Sequence, residues 1–243
     1  MTYCVGMHLN RGLVFMSDTR TNAGVDNVSK ARKMFTWSVP GERFICLMTA
    51  GNLATTQSVI SLLEERTKSP DERDPSILRE PSMFEVARRV GSTLQEVIAS
   101  NSSGDQQSDT SFSATMILGG QIAGSEPRLF LVYPEGNFVE ASEETPFFQI
   151  GETKYGKPIL VRAYDEHMSF EDAVKLLLVS FDSTVKANLT VGLPFDLQTY
   201  ETDSLQPGRA TRIGEDNPGF RAISDGWGDA LKLAFDSLPD FEF

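Results

Sequence analysis

The sequence predicts an α+β protein in which two antiparallel sheets pack together and helices cover both outer faces, a four-layer αββα sandwich. Short strands recur in pairs that are separated by turn sequences, which is typical of antiparallel hairpins. Two helical segments follow each of the first two groups of strands along the chain. A further helical pattern predicts a C-terminal helical extension, and we expect residues 1–243 to form a single domain.

The first half of the chain contains two hairpins and then two helices. Asn52 stands where an N-cap is expected for the first helix, and Ser82 with Glu85 forms a capping box for the second. Residues 19–31 are polar and contain Asn, Gly and Asp, which predicts a long loop between the hairpins. The predicted strands are residues 3–9, 13–17, 33–37 and 43–49, and the predicted helices are residues 53–66 and 82–98.

The second half again places strands before helices. Residues 100–109, with the sequence SNSSGDQQSD, have the composition of a linker, but the segments on either side do not look like separate domains. The predicted strands are residues 112–119, 128–133, 137–141, 147–150, 190–200 and 209–213, and the predicted helices are residues 155–164, residues 169–187 and a last one through residues 231–238.

The overall charge and hydropathy disfavour several classes of function. A formal net charge of −12 argues against binding to nucleic acid or to an anionic membrane surface, because both kinds of binding use clustered Lys and Arg. No apolar run approaches the roughly 20 residues of a membrane span. The first residues also lack the apolar segment of a signal peptide. We therefore predict a cytoplasmic protein with no nucleic acid and no membrane among its partners.

The side chains that most often bind metals are scarce. Cys4 and Cys46 lie in apolar strand-like segments without a metal-ligand spacing, so we interpret both as reduced core residues. His8 and His167 are the two histidines of the chain, and their surroundings are unrelated. A His-based triad or a His-rich metal site is therefore hard to build, and we predict no cofactor and no metal.

Four positions could together support nucleophilic catalysis. Thr2 becomes the first residue once Met1 is removed, which is expected when the second residue is small. Asp18 closes the first hairpin, Lys33 opens the second, and Gly51 lies between a strand and a helix.

The chemistry of these side chains is that of an activated hydroxyl. A threonine hydroxyl is a weak nucleophile and needs a base, and the α-amino group of Thr2, with an ordinary pKa of about 7.7–8.0, can serve. The ammonium of Lys33 would disfavour protonation of that amine and lower the pKa of the hydroxyl. Asp18 would hold Lys33 charged and in place. The backbone N–H of Gly51 would stabilise a developing oxyanion.

Each residue also has a simpler interpretation. Asp18 and Arg20 fit a surface pair near a turn, and Lys33 fits a solvated lysine. Residues 50–52 fit a tight turn that leads into a helix cap. The joint order of these residues along two hairpins favours the catalytic interpretation.

Longer segments carry the same residues. They are TYCVG at residues 2–6, GLVFMSDTR at 12–20, RKM at 32–34, TAG at 49–51 and YGKPIL at 155–160. In type, order and spacing these segments resemble the proteasome β-subunit family, and the resemblance covers nearly the whole chain. Within that family, the stretch SDTRTNAGVDN and the extension near residues 209–243 are most similar to the bacterial Anbu group, the ancestral β-subunits.

The resemblance implies an N-terminal nucleophile hydrolase, a threonine protease or amidohydrolase, that self-assembles into a ring or an open spiral. It implies that an N-terminal threonine attacks the amide carbonyl of a peptide or amide substrate. By matching positions, it assigns Thr2 as the nucleophile, Asp18 as the orienting carboxylate and Lys33 as the activating ammonium. It assigns Gly51 as the oxyanion donor.

The resemblance also implies where an extended substrate binds, since such substrates add as a strand to exposed sheet edges. The expected substrate-binding residues are Asn22, Thr49 and Ala50. Because Thr49 and Asn22 are small or polar, we expect no sharp preference for large apolar residues.

The sequence departs from the family pattern at two places. Where the family has Gly-Ser-Gly, with the serine beside the amine of the nucleophile, this chain has Gly151-Glu152-Thr153. Where the family has Asp-x-x-Ser-Gly, this chain has Asn188-Leu189-Thr190-Val191-Gly192. We hypothesise that the Glu152 carboxylate replaces the lost proton-relay partner, and a surface role for Glu152 is the alternative.

Two other functions stay open at this point. One is a non-catalytic or narrowly specific proteasome-like assembly with a degenerate site. The other is an amidase that acts on a small amide rather than on a peptide chain. An ATPase or a peptide-ligase-type protein as a further partner is also left open.

Overall fold

The computed structural model describes residues 2–22, 28–68, 76–102 and 112–242. Within these ranges the strands form two five-stranded sheets and one two-stranded ribbon. The strands are β1 (Tyr3–Leu9), β2 (Gly12–Asp18), β3 (Arg20–Asn22), β4 (Val28–Lys30), β5 (Met34–Val39), β6 (Arg43–Gly51), β7 (Ala114–Ile122), β8 (Arg128–Val132), β9 (Phe138–Glu140), β10 (Phe147–Gly151), β11 (Phe195–Glu201) and β12 (Ala210–Ile213). The helices are α1 (Leu53–Lys68), α2 (Met83–Ser102), α3 (Lys157–Ala163), α4 (Phe170–Ala187) and α5 (Pro218–Asp236).

Both large sheets are antiparallel throughout, as predicted from the hairpins. The first has the order β10-β1-β2-β11-β12, and the second has the order β5-β6-β7-β8-β9. In the first sheet Tyr3 pairs with Gly151 of β10, and Cys4 pairs with Ser17 of β2. The beginning of β1 therefore lies between the ends of β10 and β2, which fixes the position of Thr2.

Three apolar clusters hold four layers together, and they confirm the αββα sandwich. Helices α1 and α2 pack on the second sheet through residues that include Val59, Leu63 and Val90. Helices α3, α4 and the start of α5 pack on the first sheet through residues that include Leu160 and Phe181. The two sheets face each other across a third cluster, whose fully buried aromatic side chains are Phe15, Phe44 and Tyr200.

Every described helix except α3 begins after a residue whose side chain accepts a hydrogen bond from an unpaired backbone N–H group. Asn52 Oδ1 accepts from Thr55 N at 3.1 Å, and Ser82 Oγ accepts from Glu85 N at 3.2 Å, so both predicted N-caps are confirmed. At the start of α5, Asn217 Oδ1 accepts from the N–H of Phe220 at 2.9 Å, and Pro218 occupies the first turn.

Two predictions are corrected by the fold. Residues 19–31 are not simply a loop, since β3 and β4 pair as a ribbon with Arg20 opposite Lys30. Apart from Val28 these two strands consist of polar residues, so they carry no alternation of apolar residues that would indicate a strand. Residues 23–27 lie outside the described residues. The linker-like segment is partly helical, because α2 continues to Ser102, and residues 103–111 are not described.

Cys4 and Cys46 are both buried and unbridged, which agrees with their interpretation as core residues. Burial raises the pKa of the Cys4 thiol well above its ordinary value. Across the described ranges, no helix combines the length and the apolar character that crossing a lipid bilayer requires.

Candidate active site

Thr2 is held at the start of β1 by a contact with the end of β10. The Glu152 N–H donates to the Thr2 carbonyl oxygen at 2.6 Å, and Thr2 is half-buried. Gly151, the residue before Glu152, has φ +85°, and a Cβ atom on it would lie 1.9 Å from the carbonyl oxygen of Thr2. A glycine is therefore required where β10 passes Thr2.

Asp18 ends β2 and accepts three hydrogen bonds. Its Oδ1 accepts from the Tyr3 N–H at 3.0 Å and from Lys33 Nζ at 2.6 Å, and its Oδ2 accepts from the Gly192 N–H at 3.3 Å. Asp18 is fully buried. Burial raises the pKa of its carboxyl group, and the Lys33 ammonium and the two backbone N–H groups oppose that rise.

Lys33 lies just before β5 and is also buried, with 4% of its surface exposed. Besides the ion pair with Asp18, its Nζ donates to the carbonyl oxygen of Arg20 at 2.6 Å. Tyr3 N belongs to the peptide bond that joins Thr2 to Tyr3, and it shares the acceptor atom Asp18 Oδ1 with Lys33 Nζ. The ammonium is therefore fixed beside the peptide bond that follows Thr2.

Gly51 is the last residue of β6 and has φ +117°, and a Cβ atom there would lie 2.5 Å from the carbonyl oxygen of Ser113. The Asn52 N–H donates to the carbonyl oxygen of Ser113, just before β7, whereas the Thr49 N–H donates to the carbonyl oxygen of Lys33 at 2.9 Å. Since N–H groups of successive strand residues point to opposite edges, the Gly51 N–H points to the same edge as that of Thr49, beyond the start of β5.

Glu152 is 8% exposed and follows directly after β10. Its carboxylate accepts from Asn188 Nδ2 at 2.9 Å and from the Lys154 N–H at 3.4 Å. A surface role for Glu152 therefore does not fit its burial. The backbone N–H of Glu152 thus contacts Thr2, while Asn188 and Lys154 hold its carboxylate.

The turn at residues 188–192, which follows α4, contacts both carboxylates. Asn188 binds Glu152, and the Gly192 N–H binds Asp18. The Arg20 guanidinium holds the turn, because it donates to the Leu189 carbonyl oxygen at 2.8 Å and packs against Gly192, where a Cβ atom would lie 2.5 Å from its Cζ. These roles of Arg20 were not predicted from the sequence. One signal was available, since residues two apart in an extended segment, such as Asp18 and Arg20, lie on one side of it.

The three expected substrate-binding residues are less clearly placed. Thr49 is 4% exposed and Ala50 is 6% exposed, so neither offers much side-chain surface to a substrate. Ala50 packs in the cluster between the two sheets, near the end that holds Thr2. Asn22 ends β3, and its side chain lies outside the described part of the chain.

The structure thus brings together Thr2, Asp18, Lys33 and Glu152 at one end of the sandwich, with Gly51 on the adjacent strand edge. A threonine whose backbone adjoins a buried lysine–aspartate pair, close to a strand-end N–H, is an arrangement that can support acyl transfer.

The chain is similar to known proteins over its full length. The proteasome subunit family model matches residues 2–192. A comparison with curated protein sequences finds no match.

Several solved structures are similar to this chain in both fold and sequence. Anbu (ancestral beta-subunit) from Yersinia bercovieri has a TM-score of 0.92 and 46% identity, with 99% of each chain covered. Anbu from Hyphomicrobium sp. strain MC1 has a TM-score of 0.91 and 47% identity, covering 99% of this chain and 100% of that one. The helical assembly of the Anbu complex from Pseudomonas aeruginosa has a TM-score of 0.92 and 47% identity, covering 99% and 98%. This chain therefore belongs to the proteasome subunit family, and within it to the Anbu group of ancestral β-subunits.

Proposed function

We propose that this protein is a threonine-type amide or peptide hydrolase whose nucleophile is the Thr2 hydroxyl after removal of Met1, and that it works as a homo-oligomer. The observation that carries the proposal is the shared acceptor Asp18 Oδ1, which binds the Tyr3 N–H and Lys33 Nζ at once. Membership of the proteasome subunit family supports the same chemistry.

The first half of the reaction forms an ester on Thr2. The Thr2 oxygen bonds to the carbonyl carbon of the substrate as its proton passes to the α-amino group. The developing oxyanion accepts a hydrogen bond from the Gly51 N–H. The C–N bond then breaks, and the leaving amine takes the proton from the α-ammonium group.

The second half restores the enzyme. A water molecule loses a proton to the α-amino group and attacks the ester carbonyl. The acyl group leaves as a carboxylic acid, and the Thr2 oxygen recovers its proton from the α-ammonium group. Lys33 stabilises the alkoxide form of Thr2 in both halves, Asp18 keeps Lys33 charged, and Glu152 is the hydrogen-bond partner of the α-amino group.

Removal of the hydroxyl tests this proposal. Because alanine, like threonine, is a small second residue, Thr2→Ala also permits removal of Met1, and we expect hydrolysis to fall by at least about 1000-fold. Thr2→Ser keeps a hydroxyl and retains part of the activity. The measurement is turnover of a mixed peptide-amide library, with intact mass recorded for each protein to verify loss of the methionine.

Three outcomes of that experiment differ in meaning. Full hydrolysis by Thr2→Ala excludes Thr2 as the nucleophile. Loss of Met1 in the wild type without turnover of any library member favours the alternative of a non-catalytic or narrowly specific assembly. A protein that retains Met1 has an amide nitrogen in place of the base, and it is first treated with a methionine aminopeptidase.

Self-association is supported by the C-terminal helix. The apolar stripe of α5 begins with Phe220 and Ile223, which pack on α4 and the first sheet. The stripe then continues at helical spacing through Leu231, Phe235 and Leu238, which are 49%, 74% and 64% exposed. We call these three residues the C-terminal stripe. Exposed apolar surface of this kind is typical of an interface, and a second copy of the chain is the proposed occupant, since the similar Pseudomonas aeruginosa structure is a helical assembly.

A further inference from the structure

The two places where the sequence departs from its family pattern are in direct contact. Glu152 stands where the family has a serine, and Asn188 stands where it has an aspartate. Asn188 Nδ2 donates to Glu152 Oε2 at 2.9 Å, although the two residues are 36 positions apart in the chain.

The orientation of the Asn188 amide is fixed by its other neighbours. Its Oδ1 accepts from the Thr190 N–H at 3.0 Å and from the Thr190 hydroxyl at 2.6 Å. Because the N–H is a donor only, the amide oxygen must face Thr190 and the NH₂ group must face Glu152. The side chain therefore presents a donor, and only a donor, to the carboxylate.

An aspartate at position 188 would not be compatible with this contact. Two ionised carboxylates within hydrogen-bond distance repel each other, and neither can donate a hydrogen bond to the other. An asparagine has nearly the same shape and supplies an N–H instead. The exchange of aspartate for Asn188 and of serine for Glu152 thus moves a single carboxylate from one side of the contact to the other.

We infer that Asn188, held by Thr190, is the positioning residue that orients the Glu152 carboxylate toward the N-terminal residue. The inference rests on the proposed function. The backbone of Glu152 is already fixed, because its N–H donates to the Thr2 carbonyl oxygen at 2.6 Å. Asn188 then fixes the carboxylate itself, and the Gly192 N–H of the same turn binds Asp18, so that one turn sets both acidic groups.

The test uses acylation of Thr2 by a β-lactone, so that no natural substrate is needed. Ring opening forms a bond between the Thr2 oxygen and the lactone carbonyl carbon, and it breaks the ring acyl C–O bond. The hydroxyl proton ends on the released ring alkoxide, and the protein gains the full mass of the probe. The rate of that mass gain reports on activation of the hydroxyl.

We expect Asn188→Asp to slow acylation by about 10- to 100-fold, because it replaces the donor with a like charge and displaces Glu152. The double variant Glu152→Gln with Asn188→Asp restores a donor opposite a carboxylate, now with the roles exchanged, and part of the rate returns. Thr190→Val removes one of the two donors to Asn188 and has a smaller effect. Leu189→Ala is the matched control, since Leu189 lies in the same turn and is 84% exposed.

The outcomes separate this inference from the proposed function. A wild-type protein without Met1 that gains no mass at Thr2 overturns both. If the wild type is labelled and Asn188→Asp is labelled at the same rate, the role of Asn188 alone is overturned. The same holds if the double variant is labelled more slowly than both single variants. If Asn188→Asp does not fold, as judged by its circular dichroism and thermal midpoint, an unchanged rate in Thr190→Val decides against the inference in the same way.

Discussion

At the scale of single residues, the site depends on the buried ion pair between Asp18 and Lys33. Asp18 is fully buried, and burial raises the pKa of its carboxyl group. The Lys33 ammonium, at 2.6 Å from Asp18 Oδ1, opposes that rise. Buried ion pairs of this kind rarely stabilise a fold more than well-packed apolar residues would. Their retention beside Thr2 therefore fits a role in the chemistry.

Removal of the Lys33 ammonium should lower the stability of the fold, because it leaves the buried Asp18 carboxylate without its cation. In Lys33→Met the charged Asp18 has lost its cation, and we expect the free energy of unfolding at pH 7.5 to fall by about 3 kcal/mol. The loss depends on pH, because the folded-state pKa of Asp18 is then even further above its unfolded value. The folded protein binds the extra proton below that raised pKa, so stability is present in acid and is lost as the pH rises through it.

Urea unfolding of Lys33→Met and of the wild type at pH 4.5 and 7.5 measures the effect. The difference between the two proteins should be smaller at the lower pH. The double variant Lys33→Met with Asp18→Asn removes the buried charge, and it should recover most of the stability while hydrolysis stays absent. If Lys33→Met loses the same free energy of unfolding at both pH values, the buried Asp18 charge is not the cause of the loss.

At the scale of secondary-structure elements, the ends of strands position the reacting groups. Gly151→Ala tests the end of β10. Its φ of +85° costs about 1–3 kcal/mol for a residue with a side chain. The added Cβ would also lie 1.9 Å from the Thr2 carbonyl oxygen. We expect the thermal midpoint to fall, and β-lactone labelling of Thr2 to be lost because β1 shifts.

Gly41→Ala is the matched control for that prediction. Gly41 has a similar φ of +76°, but no atom lies within 4 Å of the position of its Cβ. This variant therefore carries the backbone strain without the contact, and it should label at the wild-type rate with a smaller fall in thermal midpoint. If Gly151→Ala and Gly41→Ala have equal labelling rates and equal thermal midpoints, the contact of Gly151 with Thr2 does not position Thr2.

The elements themselves could largely be predicted from the sequence, because their signals are local. Asn52 and Ser82 cap helices where the pattern placed them, and turn sequences separate the paired strands. The ribbon of β3 and β4 could not be predicted, since Val28 is the single apolar residue in its two strands and gives no apolar alternation. The contacts of the site are non-local, such as the bond from Arg20 to Leu189 across 169 positions. Resemblance to a family could suggest Asp18 and Lys33, but the Glu152–Asn188 contact is a departure from that family and needed the fold.

At the scale of the whole molecule, helix α5 is longer than the surface that it covers. Its first turns contribute Phe220 to the core cluster of the first sheet, at 8% exposure. Further along, Leu231, Phe235 and Leu238, the last just past the end of the helix, are 49%, 74% and 64% exposed. An apolar stripe that extends past its intramolecular partner is costly in water, at roughly 25 cal/mol for each Å² that stays exposed. Contact with a second copy would remove that surface from water.

Charged substitutions in the C-terminal stripe should therefore separate assembly from folding. We expect Leu231→Glu with Phe235→Glu to lower the sedimentation coefficient toward that of a 26.8 kDa monomer. The thermal midpoint should change little, since both side chains are already exposed. Ala222→Glu is the control, because it places a charge on an exposed position of the same helix outside the stripe. If the variant sediments as the wild type does, assembly uses another surface. If it dissociates and β-lactone labelling of Thr2 persists, the site is complete within one copy, as the contacts of Asp18, Lys33 and Glu152 within a single chain lead us to expect.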